Sequence, residues 1–121
     1  MKSKILALSK NEEFKNLLKQ KKITNKYVSI FFGKLLNKDK KRLNISFVTK
    51  KKIGNAVKRN KIKRRLRNIM NDAIKTINMN LSYSYLFIAK KNIYNAEYKI
   101  IKNSIFKDLT KVRWWKKHSY I

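Results

Sequence analysis

Apolar residues in this chain recur with two different periods, and the changes of period mark out its elements. Ser9-Lys10-Asn11-Glu12 has the form of a capping box, with Ser9 as N-cap and Glu12 three residues on. Phe14, Leu17 and Leu18 follow at helical spacing, which predicts a short helix from about Lys10 to Lys21. Tyr27 to Leu35 is β-branched, aromatic or apolar throughout and predicts a strand. In that strand Tyr27, Ser29 and Phe31 share one face, and Val28, Ile30 and Phe32 the other. A polar turn over Asn37–Arg42 leads to a second strand, Leu43 to Thr49, expected as its hairpin partner. Tyr83 to Ala89 is a third strand signal.

The longest helical pattern lies between the second and third strands. Ile62, Leu66, Ile69, Met70, Ala73, Ile74 and Ile77 fall on one face at spacings of three and four. The opposite arc carries Lys61, Arg64, Arg65 and Arg67. Asn55 is the N-cap candidate, with Gly54 before it to free the backbone for a sharp turn out of the strand. A last helix, with Asn95 as cap, runs through Ile101, Ile105, Leu109 and Val112. Arg113-Trp114-Trp115-Lys116-Lys117-His118 follows as a basic-aromatic tail. No internal repeat or linker interrupts this order, which predicts helices around a small sheet, an α+β or α/β sandwich. The expected organisation is one domain over 1–121, with its core at about 8–112 and the tail at 113–121.

Charge changes this picture from a plain sandwich to a polyanion binder. The 121 residues include 33 Lys+Arg against 6 Asp+Glu, a formal net charge of +27, beside a hydrophobic fraction of 43% that suffices for a modest core. Such an imbalance repels itself in a compact fold unless a polyanion is normally bound. No apolar run is long enough to span a bilayer, and the apolar part of Met1–Ser9 is too short for a signal-peptide core. With no Cys, disulfides and thiolate metal sites are excluded, and a reducing, cytoplasmic setting is expected. The abundance of Lys, Asn and Ile also fits A/T-rich codons, so the position of the charge carries more than its total.

Catalytic groups are scarce. Glu12, Glu13, Asp39, Asp72, Glu97 and Asp108 are scattered along the chain, whereas a metal-dependent nuclease needs several carboxylates converging on its ions. The one His, His118, has no companion for acid–base work and reads as an exposed tail residue. No Gly-rich phosphate loop or Ser-centred nucleophile motif is present. Any chemistry it supports should belong to its partner.

The stretch Lys50 to Arg67 concentrates the binding signal. Three lysines, a Gly-Asn helix start and seven further basic residues follow one another. A helix N-terminus favours phosphate through its free N–H groups and dipole, so cations placed there oppose the dipole unless a phosphate backbone compensates. A solvated face in a Lys-rich protein would not explain why Arg59, Arg64, Arg65 and Arg67 cluster here. Arg forks phosphate bidentately and stacks on bases, as Lys cannot.

Lys51-Lys52-Ile53-Gly54-Asn55-Ala56-Val57, followed by Arg59-Asn60-Lys61-Ile62-Lys63-Arg64, resembles the signature of the bacterial ribonuclease P protein subunit, with its Arg-Asn-Arg-x-Lys-Arg block. The likeness extends more weakly to Lys10–Phe14 and Phe87–Lys91, covering roughly Leu8 to Val112. It implies an α+β, single-domain α-β-β-β-α-β-α sandwich, the fold of the second domain of ribosomal protein S5, with a left-handed βαβ crossover. It further implies an RNA-binding protein that helps a catalytic RNA remove the 5′ leader from precursor tRNA, with Mg²⁺ bound mainly by that RNA. On this likeness Arg59, Asn60, Lys61, Lys63, Arg64, Arg65 and Arg67 would meet the RNA subunit. Phe14, Tyr27, Phe31, Lys51, Lys52 and Lys90 would hold the single-stranded leader in a cleft between the first helix and the sheet. A protein-bound metal site is left open, and neither a membrane nor a small-molecule substrate is expected. Three positions depart from the family pattern: Lys61 replaces the second Arg, Leu18 a frequent Phe of the cleft, and Lys50 a small polar residue. Two other readings of the same charge are a structural ribosomal or RNA-assembly protein and a membrane-active basic protein.

Overall fold

A computed structural model describes residues 5–8, 11–36, 38, 41–77 and 79–118, with side chains to 112. Its elements are β1 (Ile5–Leu6), α1 (Asn11–Leu18), β2 (Lys21–Thr24), β3 (Val28–Gly33), β4 (Leu43–Val48), α2 (Ala56–Thr76), β5 (Ser84–Ala89) and α3 (Tyr98–His118). One five-stranded sheet has the order β1-β4-β5-β3-β2. After the two-residue β1, the order of elements is the α-β-β-β-α-β-α expected.

Strand parity divides the apolar residues between two layers. Val28, Ile30 and Phe32 of β3, Leu43 and Ile45 of β4, and Tyr85 and Phe87 of β5 face one side and join the main core. There α2 buries Ile62, Leu66, Ile69, Met70 and Ala73, and α3 buries Ile101, Ile105, Leu109 and Val112. On the opposite side Phe31 and Leu86 pack with Leu8 and Leu17 under α1. Each helix is therefore held by its apolar stripe, and the sheet, apolar on both faces, separates α1 from α2 and α3.

Several expectations are corrected. The hairpin expected between Tyr27–Leu35 and Leu43–Thr49 does not form: β5 lies between them, antiparallel to β3 and parallel to β4. The hairpin partner of β3 is β2, which pairs Lys22 with Phe31 and Thr24 with Ser29. The first helix ends at Leu18 because Lys21 already belongs to β2. There the Gln20 side chain reaches the Asn16 amide oxygen and the Lys34 carbonyl. It lies where a Cβ on Gly33 would stand, so a larger residue at 33 would displace this exposed Gln20 side chain. The last helix starts at Tyr98, its first turn closing on the Glu97 carbonyl, so Asn95 is not its cap. Ser9 of the capping box, and the side chains of the 113–118 tail, lie outside the described residues.

Candidate RNA-binding surfaces

Lys50 follows β4 in extended conformation, and Lys51–Ile53 form one 3-10 turn before α2. Asn55 caps α2 as expected, its side-chain oxygen accepting from the Lys58 N–H at 3.0 Å. Gly54 is extended, with φ 161° and ψ −171°, so the sharp turn does not depend on glycine's conformational freedom. The 3-10 turn redirects the chain instead. The basic stretch consequently splits between two surfaces.

The first surface is a groove of about 520 Å³ at one end of the α1 side of the sheet, lined by Ser29, Lys50, Lys52, Ile53, Ile88, Ala89, Lys90 and Lys91. Ser29 and Ile88 are cross-strand partners, as are Phe31 and Leu86 one step along the same face. Phe31 is 9% exposed, and Phe14, Leu35, Val48 and Ile88 are half-buried around it. Lys22, opposite it on β2, places its ammonium 5.5 Å from the ring centroid. The expected cleft residues Phe14, Phe31, Lys52 and Lys90 are thus brought to one face. Lys51 is exposed on the 3-10 turn but does not line the groove. Tyr27 is corrected: it precedes β3 and packs half-buried against the main core, so it does not share Phe31's surroundings. Strand parity counted from a residue outside the strand misplaces it.

The second surface is the outer side of α2. Val57, Asn60, Lys63, Arg64 and Arg67 line a shallow depression of about 570 Å³. Val57 is 75% exposed, an apolar floor between long cationic side chains. Lys58 and Lys61 do not line the depression; their ammonium groups stand 5.0 and 6.0 Å from the centroid of the Tyr94 ring. Arg65 and Arg59 are half-buried at the edges of the helix's packed face. The Arg59 Nε–H is buried with no hydrogen-bond partner among the described residues. A buried donor of this kind is costly unless another group reaches it.

No acidic residue lines either surface. Glu13 pairs with Lys38, Asp72 with Lys102 at 2.9 Å, and Asp108 is buried. The Asp72 hydrogen bond raises the Lys102 ammonium above its ordinary pKa, so it is cationic throughout the neutral range. Among the described residues no three of His, Cys, Asp or Glu come together in a way that could hold a metal ion. Among the same residues no helix is long and apolar enough to cross a membrane. The residues that the pattern of the chain did not single out are Ser29, Lys22, Lys91, Ile88 and Tyr94. For Ser29 the signal was present in its parity with Phe31; the others depend on pairing across the sheet or between elements.

Comparison with known proteins gives a consistent result. The family model described as Ribonuclease P matches residues 3–113. The ribonuclease P protein component of Fusobacterium nucleatum is 36% identical over 109 residues, covering 84% of this chain and 94% of the relative. That of Mycoplasma mycoides is 30% identical over 106 residues, covering 88% and 94%. The RNase P protein structure of Staphylococcus aureus superposes with a TM-score of 0.70 at 27% identity, over 88% of this chain and 94% of that one.

Proposed function

The chain belongs to the ribonuclease P protein family, and from that premise we propose that its two surfaces hold two RNA segments at once. Membership makes it the protein subunit of an RNA-containing endoribonuclease of tRNA processing. In the proposal the outer side of α2 seats the catalytic RNA, and the groove on the α1 side takes the single-stranded 5′ leader of precursor tRNA. The observation that carries it is the layering: α1 and α2 pack on opposite faces of one sheet, and the basic stretch from Lys50 to Arg67 supplies cations to both.

Each surface has the chemistry its segment needs. On α2, Arg64 and Arg67 fork phosphates, Asn60 offers an amide, and a phosphate on Arg59 satisfies its buried Nε–H. In the groove, Ile53 and Ile88 supply the apolar lining, with Phe31 and Phe14 next to Ile88 on the same face as the rings within reach of a base, while Lys50, Lys52, Lys90 and Lys91 surround the backbone. Stacking with flanking cations holds a single strand without strict sequence reading. Mg²⁺, when bound, stabilises charge on the attacking and leaving oxygens. Among the described residues no cluster of side chains fits a site for it, so the proposal assigns it to the RNA. The protein's part is to lower the repulsion between leader and catalytic RNA, in the cytoplasm where precursor tRNAs are processed. A role confined to structural RNA assembly has no observation of its own in support.

The test is equilibrium binding of the reconstituted holoenzyme to precursors with progressively longer leaders. Affinity should rise with leader length until the groove is filled and then level off. Affinity independent of the leader would refute the groove assignment.

A further inference from the structure

Asp108 is 4% exposed, in a protein with six acids and a formal net charge of +27. A buried carboxylate is expensive unless it is hydrogen-bonded. From α3 it reaches 83 residues back along the chain: its Oδ2 accepts a hydrogen bond from the Asn25 side-chain amide at 2.8 Å. Its other contact, with Lys111 at 3.8 Å, involves an exposed ammonium and is weak.

Asn25 stands at the turn between β2 and β3, and its polar groups are engaged on every side. Its side-chain oxygen accepts from the backbone N–H groups of Tyr27 and Val28, at 2.7 and 2.9 Å. Its own N–H donates to the Val28 carbonyl. Its carbonyl accepts from the ammonium of Lys90 at 2.6 Å, and the Lys90 N–H donates to the Tyr27 carbonyl at 2.8 Å. Lys90 lines the groove. A chain of hydrogen bonds thus runs from a buried acid on α3 through one asparagine to a groove lysine.

We propose that Asp108 is a positioning residue for leader binding, acting through Asn25 to fix the ammonium of Lys90 at the end of the groove. The inference rests on the groove taking the leader. One N–H of the Lys90 ammonium is used by the Asn25 carbonyl, which leaves two donors for phosphate. A lysine fixed before binding loses less side-chain freedom when the phosphate arrives. Asp108 orients the asparagine with a charge-assisted hydrogen bond, the stronger kind.

A double-mutant cycle in the holoenzyme tests this, with the ratio of precursor to mature tRNA affinity as readout. D108A should lower that ratio about threefold to fivefold, the size of one exposed ion pair, and leave affinity for the RNA subunit unchanged. In a K90A background the same substitution should have no further effect, because its target is gone. D108N keeps an acceptor without the charge and should lose less than D108A; it replaces D108A in the cycle if the alanine variant does not fold. Equal losses from the Asp108 substitution in both backgrounds, or no loss in either, overturn the inference while leaving the groove reading intact. A K90A protein with an unchanged ratio overturns the assignment of Lys90 to the groove and the inference with it.

Discussion

Lys22 and Phe31 face each other across the β2–β3 ladder, with the ammonium 5.5 Å from the centre of the ring. The pair places a cation beside an aromatic surface, as binding of a single strand requires. Phe31 also belongs to the small core under α1, so its two roles must be separated. Phe31→Ala should cost about 3 kcal/mol of stability and should lower the melting temperature. Phe31→Leu keeps most of the volume and should cost less than about 1.5 kcal/mol. Even so, it should reduce the precursor preference by about 1 kcal/mol or more through lost stacking. Thermal denaturation and precursor binding by the Leu variant check the two roles independently. A Leu variant with wild-type preference would show that Phe31 only packs.

Arg64 and Arg67 lie on the exposed side of α2, away from the sheet. Replacing either by Ala should weaken binding to the catalytic RNA and lower the dependence of log affinity on log salt by about 1. The melting temperature should stay the same. Arg59→Ala should weaken the same binding and also reduce stability, since that side chain is half-buried. Salt titrations of RNA-subunit binding give the comparison.

The Asn55 cap allows helix stability and RNA binding to be moved in opposite directions. Asn55→Ala removes the acceptor for the Lys58 N–H and should cost about 1 kcal/mol. Asn55→Asp keeps the acceptor and adds a negative charge at the positive end of α2, which should stabilise the helix by about 0.5 kcal/mol. It should nevertheless weaken RNA binding, because the new charge stands beside the phosphate path. A variant that is more stable and binds RNA better would contradict the placement of RNA at this end of α2.

Tyr94 orients Lys58 and Lys61 through its ring face. Tyr94→Leu should reduce RNA-subunit affinity by about 0.5–1 kcal/mol, the size of an exposed cation–π contact. Tyr94→Phe, which keeps the ring, should not. Filter binding with both variants distinguishes loss of the ring from loss of the hydroxyl.

The sequence patterns made the long elements legible and the sheet order illegible. The α2 stripe from Ile62 to Ala73 and the β3 alternation from Val28 to Phe32 are strong because each buries a continuous face. Lys21–Thr24 has a single apolar residue, and as an edge strand it needs no more, so its pairing with β3 left no pattern to read. Without β2, the neighbouring β4 looked like the partner of β3, following the usual rule that successive strands pair. The insertion of β5 between them depends on the return of the chain after α2, which no local period encodes. The site divides in the same way. Arg64, Lys52 and Phe31 stood out by residue type and order, whereas Asn25 and Asp108, 83 residues apart, meet only in the folded chain.

The role proposed for this protein is to hold the catalytic RNA and its substrate together while the RNA carries the chemistry. Its most direct test is the rate of precursor tRNA cleavage by the matching RNA subunit at low Mg²⁺, with and without the protein. The rate should rise sharply on addition of the protein, and the protein alone should cleave nothing. An unchanged rate on addition, or cleavage by the protein without RNA, would refute that role.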